Sequence, residues 1–119
     1  MPKKDEKEGL CPADSIDIES MRRAAEQASG LLKALGNMDR LLLLCQMTQG
    51  EFCVSELEAL TGIRQPTLSQ QLGVLRDEKL VHTRREGKQI HYSIASREAM
   101  AVMEVLYGLY CKPMKESKS

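Results

Sequence analysis

Aromatic residues are scarce in this sequence: they make up 3% of its 119 residues, and tryptophan is absent. The core must therefore use Leu, Met, Ala and Val, a composition that favours helix over strand. Net charge is zero, which is unusual for a protein that binds nucleic acid over its whole surface. No apolar run approaches the roughly 18–20 residues of a membrane span, and the charged N-terminus lacks a signal-peptide core. We expect a single cytoplasmic domain with no membrane partner.

The four cysteines lack the C-x-x-C and C-x-C spacings. They are Cys11, Cys45, Cys53 and Cys111. In a reducing compartment such cysteines are buried small hydrophobes, metal ligands or redox-active thiols. The spacing alone leaves all three readings open.

Hydrophobic periodicity predicts two helices in the first half of the chain. One runs from about residue 17 to 35, and Gly36 and Asn37 end it. The next runs from about 39 to 48 and contains Cys45; it is apolar all round at 41–44, which predicts a buried central helix. We expect the folded domain to cover 16–111, with flexible tails at 1–15 and 112–119.

A helix-turn-helix is predicted at 55–77. The S-x-x-E spacing of Ser55 and Glu58 is typical of a capping box that starts a helix at Ser55. Gly62 can adopt the positive φ that ends this helix, and Pro66 suits the first position of the following one. In that second helix the apolar side chains Leu68, Leu72 and Leu75 recur at i, i+4 and i+7. The opposite face is polar: Thr67, Ser69, Gln70, Gln71 and Arg76.

That polar face has two readings, a solvated face of a core helix or a surface that reads DNA bases. Two β-prone runs follow at 80–85 and 89–94, around 86–88, and predict a hairpin with a basic tip. The tip carries Arg84, Arg85, Lys88, Gln89 and His91. Residues 64–91 hold six basic and three acidic side chains, which is a local basic patch. A helix-turn-helix followed by a basic hairpin is a winged helix, so DNA contact is the stronger reading.

The predicted DNA-binding residues divide by chemistry. Gln65 and Gln70 are the candidates for base edges, since an amide both donates and accepts hydrogen bonds. The others are expected mostly at phosphates or the minor groove: Arg64, Thr67, Ser69, Arg84, Lys88 and Gln89.

The last helix is predicted from an N-cap at Ser96 to about Cys111. It and the first helix are more apolar than the terminal helices of a small monomer should be. We therefore expect a homodimer, which would place two recognition helices on successive major grooves of a palindromic operator. The predicted fold is mainly α with a small β-hairpin: four helices, the hairpin and a fifth helix.

Several runs of this sequence resemble the ArsR-type (ArsR/SmtB) bacterial repressors, over about residues 20–111. The matching runs are 31–35, 39–41, 55–57, 65–72 (Q-P-T-L-S-Q-Q-L) and 74–76. The resemblance implies a homodimeric winged helix-turn-helix that represses its operon until an inducer releases it from DNA. It does not imply an enzyme, and a thiol peroxidase motif is not recognisable.

The inducer is constrained by the ligands that this sequence lacks. Arsenic sensors of the family carry a C-x-C pair where this chain reads Cys53-Val54-Ser55. Zinc and nickel sensors place His and carboxylate ligands along the last helix, where residues 96–111 offer only Glu98 and Glu104. We therefore expect no metal site and no cofactor, although an As(III)- or Zn-responsive repressor using Cys45, Cys53 and Cys111 stays an alternative.

Cys45 and Cys111 look like the thiol pair of the BigR/SqrR-type branch, which senses persulfides and polysulfides. The resemblance implies that these two residues are the redox sensor. An inducer carrying sulfane sulfur would link them by a disulfide or polysulfide bridge and derepress sulfide and persulfide detoxification genes. Cys11 is then expected to be non-essential, and Cys53 to be structural.

Overall fold

The computed structural model describes residues 17–111; Cys11 and the two predicted tails lie outside this range. Its elements are α1 (Ile18–Leu35), α2 (Met38–Met47), β1 (Phe52–Cys53), α3 (Val54–Thr61), α4 (Thr67–Asp77), β2 (Val81–Glu86), β3 (Gln89–Ile94) and α5 (Arg97–Leu106), which continues as a π-helical segment (Tyr107–Cys111). The predicted order of four helices, a hairpin and a fifth helix is confirmed. Within 17–111 no helix is both long and apolar enough to cross a membrane.

The chain separates into two compact units between Lys33 and Ala34. Nearly all of α1 belongs to the first unit, where Ile18 and Leu32 are 69% and 62% exposed. The second unit contains the other elements. Its largest fully buried side chains are Leu43, Leu44, Leu57, Leu68, Leu72 and Leu75. The predicted buried stripe of α4 is therefore confirmed.

Helix α2 is buried on one side only. Leu43, Leu44 and Met47 are buried where α2 packs against α3, α4 and β3. Leu42 is 43% exposed and Cys45 is exposed, so the prediction of a helix buried all round is wrong. The run of leucines has no polar face to mark which side meets the core, and only the neighbouring helices decide this.

The predicted hairpin supplies two strands of a three-stranded antiparallel sheet of order β1-β3-β2, with β3 in the middle. Val81 pairs with Ile94 and Thr83 with Tyr92, and Phe52 of β1 pairs with Tyr92 from the other side. The sequence indicates only an extended link at β1, because two residues are too few for a strand periodicity. Beyond Val81 every residue of β2 is exposed, so the hairpin extends from the core as a wing.

Two helix starts differ from their predictions. Helix α3 begins at Val54, and Glu56 Oε1 accepts a hydrogen bond from the Cys53 N–H at 2.9 Å, so the capping box lies two residues before the predicted one. The extended backbone of β1 continues through Cys53 and places this residue at the N-cap. Pro66 directly precedes α4 rather than opening it. The N-cap of α5 is Ser96, as predicted, and it accepts a hydrogen bond from the Ala99 N–H at 3.0 Å.

Candidate nucleic-acid interface and thiol groove

The turn between α3 and α4 presents α4 with its polar face outward. Gly62 has φ of 78°, and its N–H donates to the Glu58 carbonyl at 2.9 Å, which ends α3 as predicted. Residues Arg64, Gln65 and Thr67 line one shallow cleft at the start of α4. Ser69 and Gln70 are exposed beside it. The structure thus brings together five of the predicted DNA-binding residues.

Gln65 caps the first turn of α4 with its side chain. Its side-chain oxygen accepts a hydrogen bond from the Ser69 N–H at 3.0 Å, and this bond satisfies an otherwise unpaired amide in the first turn of α4. The amide NH2 of Gln65 keeps its two donors, and Gln70 keeps both a donor and an acceptor group at the surface.

Gln71 does not belong to the outward face, contrary to the sequence prediction. Its Oε1 accepts a hydrogen bond from Arg40 Nη1 of α2 at 2.7 Å. Arg40 Nε in turn donates to the Ala34 carbonyl at 2.6 Å. Gln71 therefore connects α4 to α2. The two residues in this contact are 31 positions apart in the sequence, so no local pattern could indicate it.

The tip of the wing carries two further residues that the sequence predicts to bind DNA. Gly87 has φ of 63°, which the tight turn requires, and Lys88 and Gln89 are exposed next to it. Arg85 Nε donates to the Gly87 carbonyl at 3.4 Å and is also exposed. Lys88, Gln89 and Arg85 thus lie together at the end of the hairpin.

Arg84 is engaged by carboxylates, which the sequence does not indicate. Its Nε and Nη2 donate to the two oxygens of Glu51 at 3.0 and 2.8 Å, and its Nη1 donates to Glu86 at 3.2 Å. The hydrogen bond and charge of Glu51 are the main causes that raise the pKa of the Arg84 guanidinium further. In return, the hydrogen bond from Arg84 lowers the pKa of the Glu51 carboxyl from its usual value. Because both side chains are exposed, solvent screens the attraction between their charges.

The second site is an apolar cleft between α2 and the C-terminal part of the chain, which we name the thiol groove. Its volume is about 280 Å³. It is lined by Met38, Leu41, Leu42, Cys45, Met103, Leu106, Tyr107, Tyr110 and Cys111. Apart from the thiols and two tyrosine hydroxyls, this lining consists of aliphatic, thioether and aromatic groups. Cys45 and Cys111, predicted as a pair from resemblance, therefore line one groove.

The charge of Cys111 acts on the Cys45 thiol. The pKa of the Cys45 thiol is raised, first because partial burial disfavours its thiolate and second because the Cys111 thiolate adds a like charge. Cys111 ends the π-helical segment and lines the groove together with Leu106. Both cysteines are exposed, and no disulfide joins the cysteines of the described range.

Cys45 also borders a second, more polar cleft of about 310 Å³. Thr48, Gln49 and Glu104 line it together with Met100, Met103 and Tyr107. Cys53 does not reach either cleft: it is buried at the start of α3, with its Sγ 3.3 Å from Ser55 Oγ. Among residues 17–111 no group of three or more His, Cys, Asp or Glu side chains could hold a metal ion.

Residues 37–83 match the family model described as "Bacterial regulatory protein, arsR family". The chain is 51% identical over 98 residues to the Biofilm growth-associated repressor of Agrobacterium fabrum, an alignment that covers 82% of this chain and 84% of the relative. Its fold is similar to the crystal structure of the transcriptional repressor BigR from Xylella fastidiosa, with a TM-score of 0.74 and 46% identity over 81% of this chain and 98% of that one.

A second solved structure is informative about assembly. It is the homodimeric winged helix-turn-helix DNA-binding domain Mb0332 from Mycobacterium bovis, a possible ArsR-family regulator. The TM-score is 0.69 at 27% identity, covering 84% of this chain and 93% of that one.

Proposed function

The chain belongs to the ArsR family of bacterial regulatory proteins, and we propose that its DNA affinity is controlled by a sulfur bridge between Cys45 and Cys111. The protein is a winged helix-turn-helix transcriptional repressor and not an enzyme. The observation that carries the proposal is the shared thiol groove: the two cysteines lie on facing elements, and the charge of one acts on the pKa of the other.

The bridge forms in two thiol exchange steps. A cysteine thiolate attacks the sulfane sulfur of a small persulfide R–S–SH, which gives Cys–S–SH and releases R–S⁻. The thiolate of the other cysteine then attacks the modified sulfur, and a Cys–S–S–Cys bridge forms as HS⁻ leaves. If both cysteines are first converted to persulfides, the attack of one terminal sulfur on the other cysteine gives a trisulfide and HS⁻.

Helix α2 transmits the change. It carries Cys45 on its exposed side and packs against α4 with its buried side. A bridge fixes this helix to the end of the π-helical segment and shifts the dimer away from the arrangement that fits DNA. An allosteric coupling of about 1–3 kcal/mol is typical, and it would lower operator affinity by roughly 5- to 150-fold.

The reduced protein acts as a homodimer on double-stranded operator DNA in the cytoplasm. Several large apolar side chains are exposed in a single copy: Ile18, Leu32, Val105, Leu109 and Tyr110. A second copy covering them would satisfy this surface, since such side chains are otherwise costly in water. The two recognition helices would then meet half-sites about 34 Å apart. Gln65 and Gln70 face base edges, while the other contacts are mostly with phosphates or the minor groove, from Arg64, Thr67, Ser69, Lys88 and Gln89.

Operator binding by wild type, Cys45→Ser and Cys111→Ser, with and without a persulfide donor, tests the proposal. We expect wild type to release DNA after treatment and both serine variants to stay bound. Cys53→Ser is the matched control and should still respond, because Cys53 lies outside the groove. Mass spectrometry of the treated protein should find Cys45 and Cys111 in one crosslinked peptide.

Two outcomes would contradict the proposal. Release of DNA from both serine variants would show that the pair is not the sensor. Release by As(III) or Zn(II) without persulfide would favour the metal-responsive alternative, in which thiolates of Cys45, Cys53 and Cys111 act as ligands.

A further inference from the structure

We propose that Glu51 and Arg84 form a clamp that positions the wing for DNA, and that Arg84 is a positioning residue rather than a phosphate ligand. The inference rests on the proposed contact between the wing and DNA. It assigns a role to Glu51, and it replaces the direct DNA contact that the sequence predicts for Arg84.

The clamp spans the whole width of the sheet. Arg84 of β2 pairs with His91 of β3, and His91 pairs with Cys53 of β1. The guanidinium reaches across this row to Glu51, which lies just before β1. Two parallel hydrogen bonds, of 3.0 and 2.8 Å, join the groups in the fork-to-fork geometry that gives Arg–carboxylate pairs their directional preference.

The wing has few apolar contacts near its tip. Its apolar anchors are at the root, where Val81 and Tyr92 are buried, and β2 is exposed from His82 to Glu86. Strand β1 pairs with β3 only at Tyr92 and His91, so the part of the hairpin nearer the tip has no third strand beside it. A contact that ties the outer strand to the chain entering β1 therefore limits how far the tip with Lys88 can move.

The same contact leaves Arg84 poorly suited to bind a phosphate. Each of its three guanidinium nitrogens donates to a carboxylate: Nε and Nη2 to Glu51, and Nη1 to Glu86. Glu86 also lies 3.6 Å from His91 Nε2. A phosphate approaching Arg84 would have to displace these bonds and face two negative charges, whereas Lys88 and Arg85 lie nearer the tip.

For Glu51→Gln, the clamp and simple electrostatics predict opposite changes in DNA affinity. Removing a negative charge near a DNA-binding surface should tighten binding and steepen its salt dependence if Arg84 becomes free for phosphate. If Arg84 positions the wing, the same substitution weakens binding, by about fivefold for the loss of a charge-assisted hydrogen-bond pair. Glu86→Gln is the matched control, because it removes an equal charge from the same wing but leaves the bidentate pair intact; it should tighten binding.

The decisive experiment measures operator affinity and its salt slope for reduced Glu51→Gln, Glu86→Gln, Lys88→Ala and the exchange Glu51→Arg with Arg84→Glu. Circular dichroism confirms that each variant is folded. We expect weaker binding for Glu51→Gln and recovery to within about twofold of wild type for the exchange, since the pair is re-formed with its partners reversed.

The remaining outcomes separate the two hypotheses. If Glu51→Gln binds more tightly or unchanged, or if the folded exchange variant does not recover, the clamp is overturned while the wing contact stands. If Lys88→Ala leaves affinity and salt slope unchanged, the wing does not meet DNA, and the proposed DNA contact set itself fails.

Discussion

The DNA-facing surface, which is the proposed contact region at the start of α4 and on the wing, is built in the opposite way from the thiol groove, although both belong to one compact unit. At the DNA-facing surface, polar side chains are held by hydrogen bonds and ion pairs, as with Gln65 on Ser69 and Arg84 on Glu51. The groove lining contains no charged side chain. Salt should therefore act mainly on the first region, whereas burial and thiol chemistry govern the second.

Helix α2 belongs to both regions. Its side with Leu43, Leu44 and Met47 packs in the core against α3 and α4. Its side with Leu42 and Cys45 lines the groove. One short helix therefore connects the two regions, and the proposed bridge would act on the proposed DNA contacts through it.

We expect the largest loss of stability from a substitution on the buried side of α2. Leu44→Ala should lower the free energy of unfolding by about 2–5 kcal/mol, because Leu44 is 0% exposed and the substitution leaves a cavity. Urea denaturation measures this loss, and both DNA binding and bridge formation should decline together. Leu42→Ala, on the exposed side of the same helix, is the control; an equal loss there would contradict the one-sided burial of α2.

The next prediction separates backbone contacts from base contacts at the DNA-facing surface. Lys88→Ala should weaken binding to operator and scrambled DNA alike and reduce the magnitude of the salt slope by about one. Gln70→Ala should instead reduce discrimination between the two DNAs, by about 1–3 kcal/mol if it contacts a base edge bidentately. A gel-shift series over several salt concentrations measures both, and the reverse pattern would exchange the assigned roles.

The third effect concerns the pH dependence of the groove. Because the reactive form is the thiolate and the pKa of Cys45 is raised, its alkylation should be slow near neutral pH and have a midpoint above the usual value of about 8.5. Cys111→Ser should lower this midpoint only partly, because the larger cause, burial, persists. Peptide mass spectrometry of Cys45 over a pH series measures it; a midpoint that ignores Cys111→Ser would refute the coupling.

The smallest effect is expected at the C-terminal end of α4. Lys79 has φ of 62°, and the N–H groups of Lys79 and Leu80 donate to the Arg76 and Leu75 carbonyls, both at 2.9 Å. This is a helix end that usually contains glycine. Lys79→Gly should stabilise the protein by about 0.5 kcal/mol in thermal or urea unfolding. Glu78→Gly, at φ of −83°, should destabilise it.

Local patterns predicted the features that depend on neighbours along the chain. The leucine stripe of α4, the end of α3 at Gly62 and the cap at Ser96 follow from spacings of one or two helical turns. The pairing of β1, the Arg40–Gln71 contact and the Arg84–Glu51 pair were not predictable in this way. The last two join residues 31 and 33 positions apart, and no periodicity records such distances.

The helices, the hairpin and the family were predictable from the sequence, because hydrophobic period, capping residues and a long motif are local properties. Contacts between distant segments set which side of α2 is exposed, which polar side chains of α4 face outward and which carboxylates bind Arg84. The tertiary structure also placed Cys45 and Cys111, 66 positions apart by their numbers, along one groove. The physical reason is that packing selects among faces that look equivalent in the sequence.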